Sequence, residues 1–274
     1  MHDTQPDQTA APRQIRRVRH ELRFRLIEVI ATERISPNMA RITFGGPELE
    51  GFYSPGFDDH VKLFFPAAGQ AVPPLPVLGE RGLAFAEGVV PPVARDFTPR
   101  HFDATALRLV IDFALHENGP ATQWARDAQP GQKIGLGGPR GSMIVPMDFD
   151  WHLLIGDATA LPALARRLEE LPSDAQILAL IEVDGPADEI ALTDIPVAAR
   201  IVWVHQKPEG EALLEALAGA VFPEGACFAW VACESATAKR LREALIARGV
   251  GPKQMRASGY WRRGAAGTHD SFDE

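Results

Sequence analysis

The feature that most constrains this fold is a change in hydrophobic period near residue 150. Before it, apolar and polar residues alternate in short runs, the two-residue period of half-buried strands. The runs cover 24–32, 39–45, 60–66, 94–98, 107–116 and 132–137, with turns such as Ser36-Pro37-Asn38 and Gln129-Pro130-Gly131 between them. Residues 66–93, rich in proline and glycine, read as a long loop, and 121–128 as the one helix of this half. Such a set predicts a small six-stranded antiparallel barrel. After the change, apolar strands at 151–156, 176–183, 200–205, 227–233 and 256–260 alternate with helices at 160–171, 209–220 and 235–248. That alternation predicts an α/β domain with a parallel sheet. The expectation is a two-domain β plus α/β protein: a disordered tail over 1–20, a barrel domain over 21–145, an α/β domain over 146–264 and a mobile tail over 265–274.

Composition narrows the function classes. A net charge of −8 argues against a general nucleic-acid binder, which carries a basic excess, but leaves room for a local basic pocket. Cys227 and Cys233, the two cysteines, fall on one face of one predicted strand and cannot easily bridge, so a reducing compartment fits. Two cysteines cannot hold a Cys₄ iron–sulfur cluster. No apolar run approaches the length of a membrane helix, and the first twenty residues lack the apolar core of a secretory signal, so a cytoplasmic location without membrane insertion is expected. The histidines show no His-Glu-x-x-His spacing, and neither a Gly-x-Ser-x-Gly elbow nor a P-loop occurs.

Three segments carry chemistry by their order. In Arg95-Asp96-Phe97-Thr98-Pro99-Arg100, a cation and an aromatic ring face one side of a strand, with a hydroxyl beside them. The guanidinium fork suits a pyrophosphate, and Phe97 can lie against a flavin ring. In His116-Glu117-Asn118-Gly119-Pro120-Ala121-Thr122, glycine allows close backbone approach and proline suits a first helical turn. Free N–H groups at that helix start favour an anion such as a pyrophosphate, and a site for a pyrophosphate favours FAD over FMN. Gly156-Asp157-Ala158-Thr159-Ala160-Leu161-Pro162 is a strand-to-helix turn of small residues, placed where a nicotinamide nucleotide would enter; Asp157 or Thr159 could equally serve as an ordinary helix cap.

A barrel followed by a nucleotide-binding α/β domain is the architecture of ferredoxin-reductase-like flavoenzymes. Within that class, His60-Val61-Lys62-Leu63, Arg95–Arg100, Gly138-Pro139-Arg140-Gly141-Ser142, Gly156–Pro162 and Gly259-Tyr260-Trp261-Arg262 resemble the siderophore-interacting protein family. Its members are flavin-dependent ferric-siderophore reductases, and the resemblance spans residues 20–264. It implies that Arg95, Asp96, Phe97 and Thr98 bind the flavin, with Thr98 positioning the ring. It implies further that Asp112, Phe113, Ala114 and His116 lie along the adenosine side, and that Gly119, Pro120, Ala121 and Thr122 meet the pyrophosphate. Asp157, Thr159 and Ala160, with Glu234 and Ser235, would meet the nicotinamide nucleotide. The family usually has tyrosine where this chain has Phe97, and glycine where it has Cys233. Lys239, Arg240 and Arg242 could meet the 2′-phosphate of NADPH or form a solvated helix face, whereas Glu182 and Asp184 could favour the free ribose of NADH. The resemblance also implies a basic trio, Lys62, Arg140 and Arg262, for the anionic ferric chelate.

The sequence therefore predicts a monomeric, FAD-containing reductase that takes electrons from NADPH or NADH and reduces a ferric siderophore, with no metal site of its own. No side chain need act as an acid or nucleophile, because the cofactor carries the chemistry. Two alternatives stand beside it: a flavin oxidoreductase serving a protein partner, and a siderophore-binding protein without reductase activity.

Overall fold

The structure, a computed structural model, describes residues 13–79, 82–116, 119–207, 211–265 and 270–272. In chain order the strands of the first half are β1 (Arg16–Arg19), β2 (Phe24–Ser36), β3 (Met39–Gly45), β4 (Val61–Phe65), β5 (Val77–Gly79), β6 (Gly82–Ala84), β7 (Val93–Phe97), β8 (His101–Asp103), β9 (Arg108–Ala114), β10 (Lys133–Gly137) and β11 (Gly141–Ile144). Helix α1 (Pro120–Asp127) precedes β10. The second half runs β12 (Trp151–Gly156), α2 (Leu161–Glu170), β13 (Ile177–Val183), β14 (Ala199–His205), α3 (Ala212–Ala218), β15 (Cys227–Glu234), α4 (Ser235–Ala247), β16 (Met255–Trp261) and β17 (Asp270–Ser271).

The six expected strands of the first half are present, but the antiparallel sheet has seven, in the order β7-β4-β10-β2-β3-β9-β8. The added strand is β8, too short to show a period. Its position forces the sheet to curl. The edge strands β7 and β8 are joined by three residues, Thr98–Arg100, whose reach is about 15 Å. The edges of a flat seven-stranded sheet would stand about 29 Å apart. The inward residues, among them Ile27, Val29, Ile42, Phe44, Leu63, Ile111, Phe113 and Ile134, form one buried cluster. Trp124 of α1 closes it, stacking on Phe44 with centroids 6.4 Å apart.

Two further expectations are corrected here. The tail assigned to 1–20 includes β1, which pairs with β11 through Arg16↔Ile144 to Arg19↔Gly141; its four residues are mostly exposed and polar, so pairing rather than burial holds them. Residues 1–12 lie outside the described residues. The long loop over 66–93 contains the hairpin β5–β6.

The second sheet has the order β14-β13-β12-β15-β16-β17. Its first five strands pair in parallel, and β17, within the expected mobile tail, adds antiparallel at the edge, so the sheet is mixed rather than parallel throughout. Helix α2 covers one face with Leu161, Leu164 and Leu168; α3 and α4 cover the other with Leu213, Leu217, Leu241 and Leu245. Burial on both faces explains the unbroken apolar runs of these strands. From β12 the chain builds outward to β13 and β14, then returns to place β15 on the other side of β12. The direction of building therefore reverses at β12, and crevices open beyond the carboxyl ends of the strands at such a reversal.

The halves are joined by buried polar contacts. Asp58 accepts from Trp230 Nε1 (3.3 Å) and pairs with Arg256 (2.9 Å). Arg166 donates to Pro99 O (2.9 Å), and Arg100 pairs with Glu169. The two-residue turn between β2 and β3 docks on Asp188, which accepts from Ser36 Oγ and Asn38 N, both at 2.8 Å.

Candidate functional site

The reversal point and the edge strand β7 open onto one cavity of about 840 Å³, within the range of ligand pockets. Of the flavin-side residues expected from sequence, Arg95, Asp96, Phe97, Thr98, Asp112, Phe113, Ala114 and His116 line it, as do Gly119, Pro120, Ala121 and Thr122. From the second half come Asp157, Thr159, Glu182 and Asp184.

Strand alternation sets the geometry of β7. Arg95 and Phe97 share a face. The Phe97 ring packs on Phe113, centroids 4.5 Å apart, so one edge of the ring is core while the residue still borders the cavity. Arg95 is half-buried, donates to Ala94 O (2.8 Å), and has no carboxylate partner among the described residues. Thr98 is buried and hydrogen-bonds with the Tyr260 phenol, which burial pushes well above its ordinary pKa. Asp112 is buried and its carboxylate accepts from Arg41 at 2.7 and 2.8 Å.

Gly119, the residue before α1, has φ 154°. A Cβ there would also lie 2.9 Å from His116 Cε1, so both backbone and space require glycine. Beside it, Ala121 and Thr122 of the first turn of α1 line the cavity, and their N–H groups come before the first bond of the helix, Gln123 N to Gly119 O.

Asp157 is the hub of the opposite wall. Its Oδ1 accepts from Thr159 N (2.9 Å) and Thr159 Oγ1 (2.6 Å). Its Oδ2 accepts from Glu234 N (3.1 Å) and Trp261 Nε1 (2.7 Å). The carboxylate thus ties the ends of β12, β15 and β16 together, although burial holds its pKa above the usual range. Gly156 allows the turn to close: a Cβ would meet Ala160 Cβ at 2.8 Å. Glu182, at the end of β13, accepts from the Leu213 backbone, while its Oε2 is buried with no hydrogen-bond partner among the described residues. Burial, then the charge of Asp157, push its pKa up to about 7.

Other expected residues stand away from the cavity lining. Ala160 is buried beneath Gly156. Glu234 caps α4, accepting from Thr237 N (3.0 Å), and Ser235 Oγ lies 2.7 Å from Asp270 Oδ2. Lys239 is exposed, and Arg240 pairs with Glu211 (3.0 Å) on an outer helix face. Of the basic trio, Lys62 lines the cavity and pairs with Asp96 (2.7 Å). Arg262, next to the lining residue Trp261, pairs with Asp270 (2.8 Å). Arg140 is exposed and lies three residues beyond Gly137, the register partner of Lys62. Cys227 and Cys233 are buried free thiols whose pKa burial raises, to about 12 for Cys227, which suits packing and not redox chemistry.

The sequence reading gave no role to Asn38, His60, Arg126 or Gln206, all of which line the cavity. Gln206 follows β14 as Asp157 follows β12, so the strand-end rule could have found it. Asn38 and Arg126 had no signal, since only the fold brings them there.

The volume, the glycine cradle and the half-buried arginine fit a flavin dinucleotide. With its curled antiparallel sheet followed by a mixed α/β sheet, the chain has the two-domain ferredoxin-reductase-like fold. A ferredoxin reductase of carbazole 1,9a-dioxygenase shares this fold at a TM-score of 0.63 and 14% identity, covering 85% of this chain and 66% of that one. Residues 28–143 match the siderophore-interacting FAD-binding domain, and 149–264 match the siderophore-interacting protein domain. The chain belongs to the siderophore-interacting protein family. It is similar to the NADPH-dependent ferric-chelate reductase of Escherichia coli, 40% identical over 91% of this chain and 97% of that protein. It is also similar to the crystal structure of a siderophore utilization protein from T. fusca, with a TM-score of 0.86 and 40% identity over 93% and 98% of the two chains.

Proposed function

We propose that this protein is an FAD-containing, NAD(P)H-dependent reductase of ferric siderophores, the barrel side (21–145) holding FAD and the α/β side (146–264) the nicotinamide donor. The observation that carries the reading is the single cavity that joins the Arg95–Thr98 strand to the Asp157–Thr159 turn at the reversal of the second sheet. Arg95 and the α1 N-terminus would hold the FAD pyrophosphate, and Phe97 would support the ring. Thr98, fixed by Tyr260, would position the ring edge. The chemistry supplied by bound FAD is the conversion of a two-electron hydride donor into one-electron reduction. Asp157 holds the turn against which the donor lies and, with four donors on it, is a positioning residue rather than an acid.

Lys62, Arg140 and Arg262 would receive the anionic chelate. Two of these cations are paired with Asp96 and Asp270, so binding must exchange those partners for the ligand's oxygens. The similarity to the E. coli ferric-chelate reductase supports both the acceptor class and NADPH as donor.

The test is anaerobic. Protein reconstituted with FAD and reduced with NADPH should be reoxidised by a ferric catecholate, with iron(II) trapped by a chromogenic chelator. Lys62→Ala/Arg140→Ala/Arg262→Ala should raise KM for the chelate at least tenfold while FAD stays bound. Reoxidation by no ferric chelate would overturn the reading, and FAD loss in the triple variant would show that the trio sits elsewhere.

A further inference from the structure

Reduction weakens the hold of a chelate's oxygens on iron, and protonation of those oxygens speeds the release. Phenolate oxygens are basic and release the metal faster when each leaving oxygen gains a proton. Among the groups that line the cavity, His60 is the imidazole beside Lys62, the cation expected to receive the chelate.

His60 immediately precedes β4 and lines the cavity. In the antiparallel pairing of β4 with β7, Lys62 faces Asp96 and Val61 faces Phe97. His60 precedes Val61 and Thr98 follows Phe97, so both residues adjoin the last pair of this ladder, and Thr98 is the residue assigned to the flavin edge. Alternation puts His60 and Lys62 on one face, and both line the cavity. The turn leading to Arg140 runs close by, since a Cβ on Gly138 would lie 3.9 Å from His60 O. Charged groups stand around it. Lys62 is paired with Asp96, and Asp58 is turned to Arg256. Asp59 accepts from Ser142 Oγ (2.6 Å), Ser54 Oγ and Gly56 N. These carboxylates are already engaged, so they do not compete for the chelate's iron. His60 itself is exposed, which lets it exchange protons with water.

Resting on the reductase reading, we propose that His60 is the proton donor to the iron chelate, touching a ligating oxygen at the mouth of the flavin site. As one electron, drawn from the reduced nicotinamide donor, converts iron(III) to iron(II), the iron–oxygen bond breaks and its electron pair stays on oxygen. That oxygen takes the proton from the His60 imidazolium, and His60 regains one from water. A two-electron donor thus serves two chelates. Histidine suits the step because an imidazole ring can both deliver a proton and take one back. This departs from the expectation that no side chain acts as an acid.

The experiment has two parts. Gallium(III) catecholate, which cannot be reduced, is added to the full-length protein while the imidazole NMR signals are followed; the His60 signals, assigned with His60→Gln, should shift. Turnover is then compared for a ferric catecholate and for ferricyanide, which releases no ligand oxygen. His60→Gln should lower the catecholate rate at least tenfold more than the ferricyanide rate, with KM for the catecholate moving less than kcat. A silent His60 signal, or equal losses with both acceptors, would overturn the proposal while the reductase reading stands. If the wild type itself reduced ferricyanide but no ferric chelate, the reductase reading would fail first.

Discussion

Replacing Asp157 by alanine removes one acceptor from four donors at a site that is only 8% exposed. The Thr159 hydroxyl can turn toward the cavity, but Thr159 N, Glu234 N and Trp261 Nε1 are fixed by the backbone and by packing. At ~1 kcal/mol each, the lower end for a buried unsatisfied donor, the loss is about 3 kcal/mol. Part is returned, because a carboxylate whose pKa is raised by burial no longer has to be desolvated. A net of about 2 kcal/mol remains, and for a chain of this size that lowers Tm by roughly 4–8 °C. Thermal unfolding followed by circular dichroism reads it directly. Asp157→Asn keeps one acceptor oxygen and should fall between. A cycle with Trp261→Phe isolates the indole contact, and a coupling of about 1 kcal/mol or more is expected for a hydrogen bond to a carboxylate. KM for the nicotinamide donor should rise in Asp157→Ala as the turn loosens. A Tm within a degree of wild type, or additive single variants, would refute the hub.

Glu182 makes stability depend on pH with a defined sign. Its folded pKa of about 7 stands above the reference of 4.5, so between those values the folded state binds more protons than the unfolded one. Stability contributed by this group is therefore present below about pH 4.5 and lost as pH rises toward 7. Glu182→Gln should gain Tm over wild type between pH 5 and pH 8, and a constant difference across that range would contradict the burial argument. Gly119→Ala places a Cβ at φ 154° and 2.9 Å from the His116 ring. Strain of about 1–3 kcal/mol at the start of α1 should weaken FAD binding roughly tenfold or more in a fluorescence titration. Unchanged affinity would remove α1 from the pyrophosphate site.

Much of the site was legible because it sits on local signals. Arg95, Phe97 and Thr98 alternate on a strand; Gly119-Pro120 announces a helix start; Gly156-Asp157 follows an apolar run. Each depends on neighbours within a few residues, and each lands on the cavity. Residues whose position depends on distant pairing were not legible. His60 comes to the cavity beside Thr98 because β4 pairs with β7, and Asn38 reaches the cavity because its turn docks on Asp188, 150 residues away. Glu234 caps its own helix at Thr237, whereas Arg240 pairs with Glu211, 29 residues away, a contact that only the fold supplies.

The hydrophobic period by itself determined that strands come first and that strands then alternate with helices, because burial of a strand or helix face is written into neighbouring residues. Individual residue types, Gly119-Pro120 and Gly156-Asp157 among them, separately marked the turns that line the cavity. Tertiary structure alone decided that β8 joins the sheet and curls it, that β1 and β17 are strands, and that two carboxylates neutralise two of the three expected substrate cations. Those outcomes rest on pairing between segments far apart in sequence, where hydrogen bonding and charge contact, rather than local period, choose the partner.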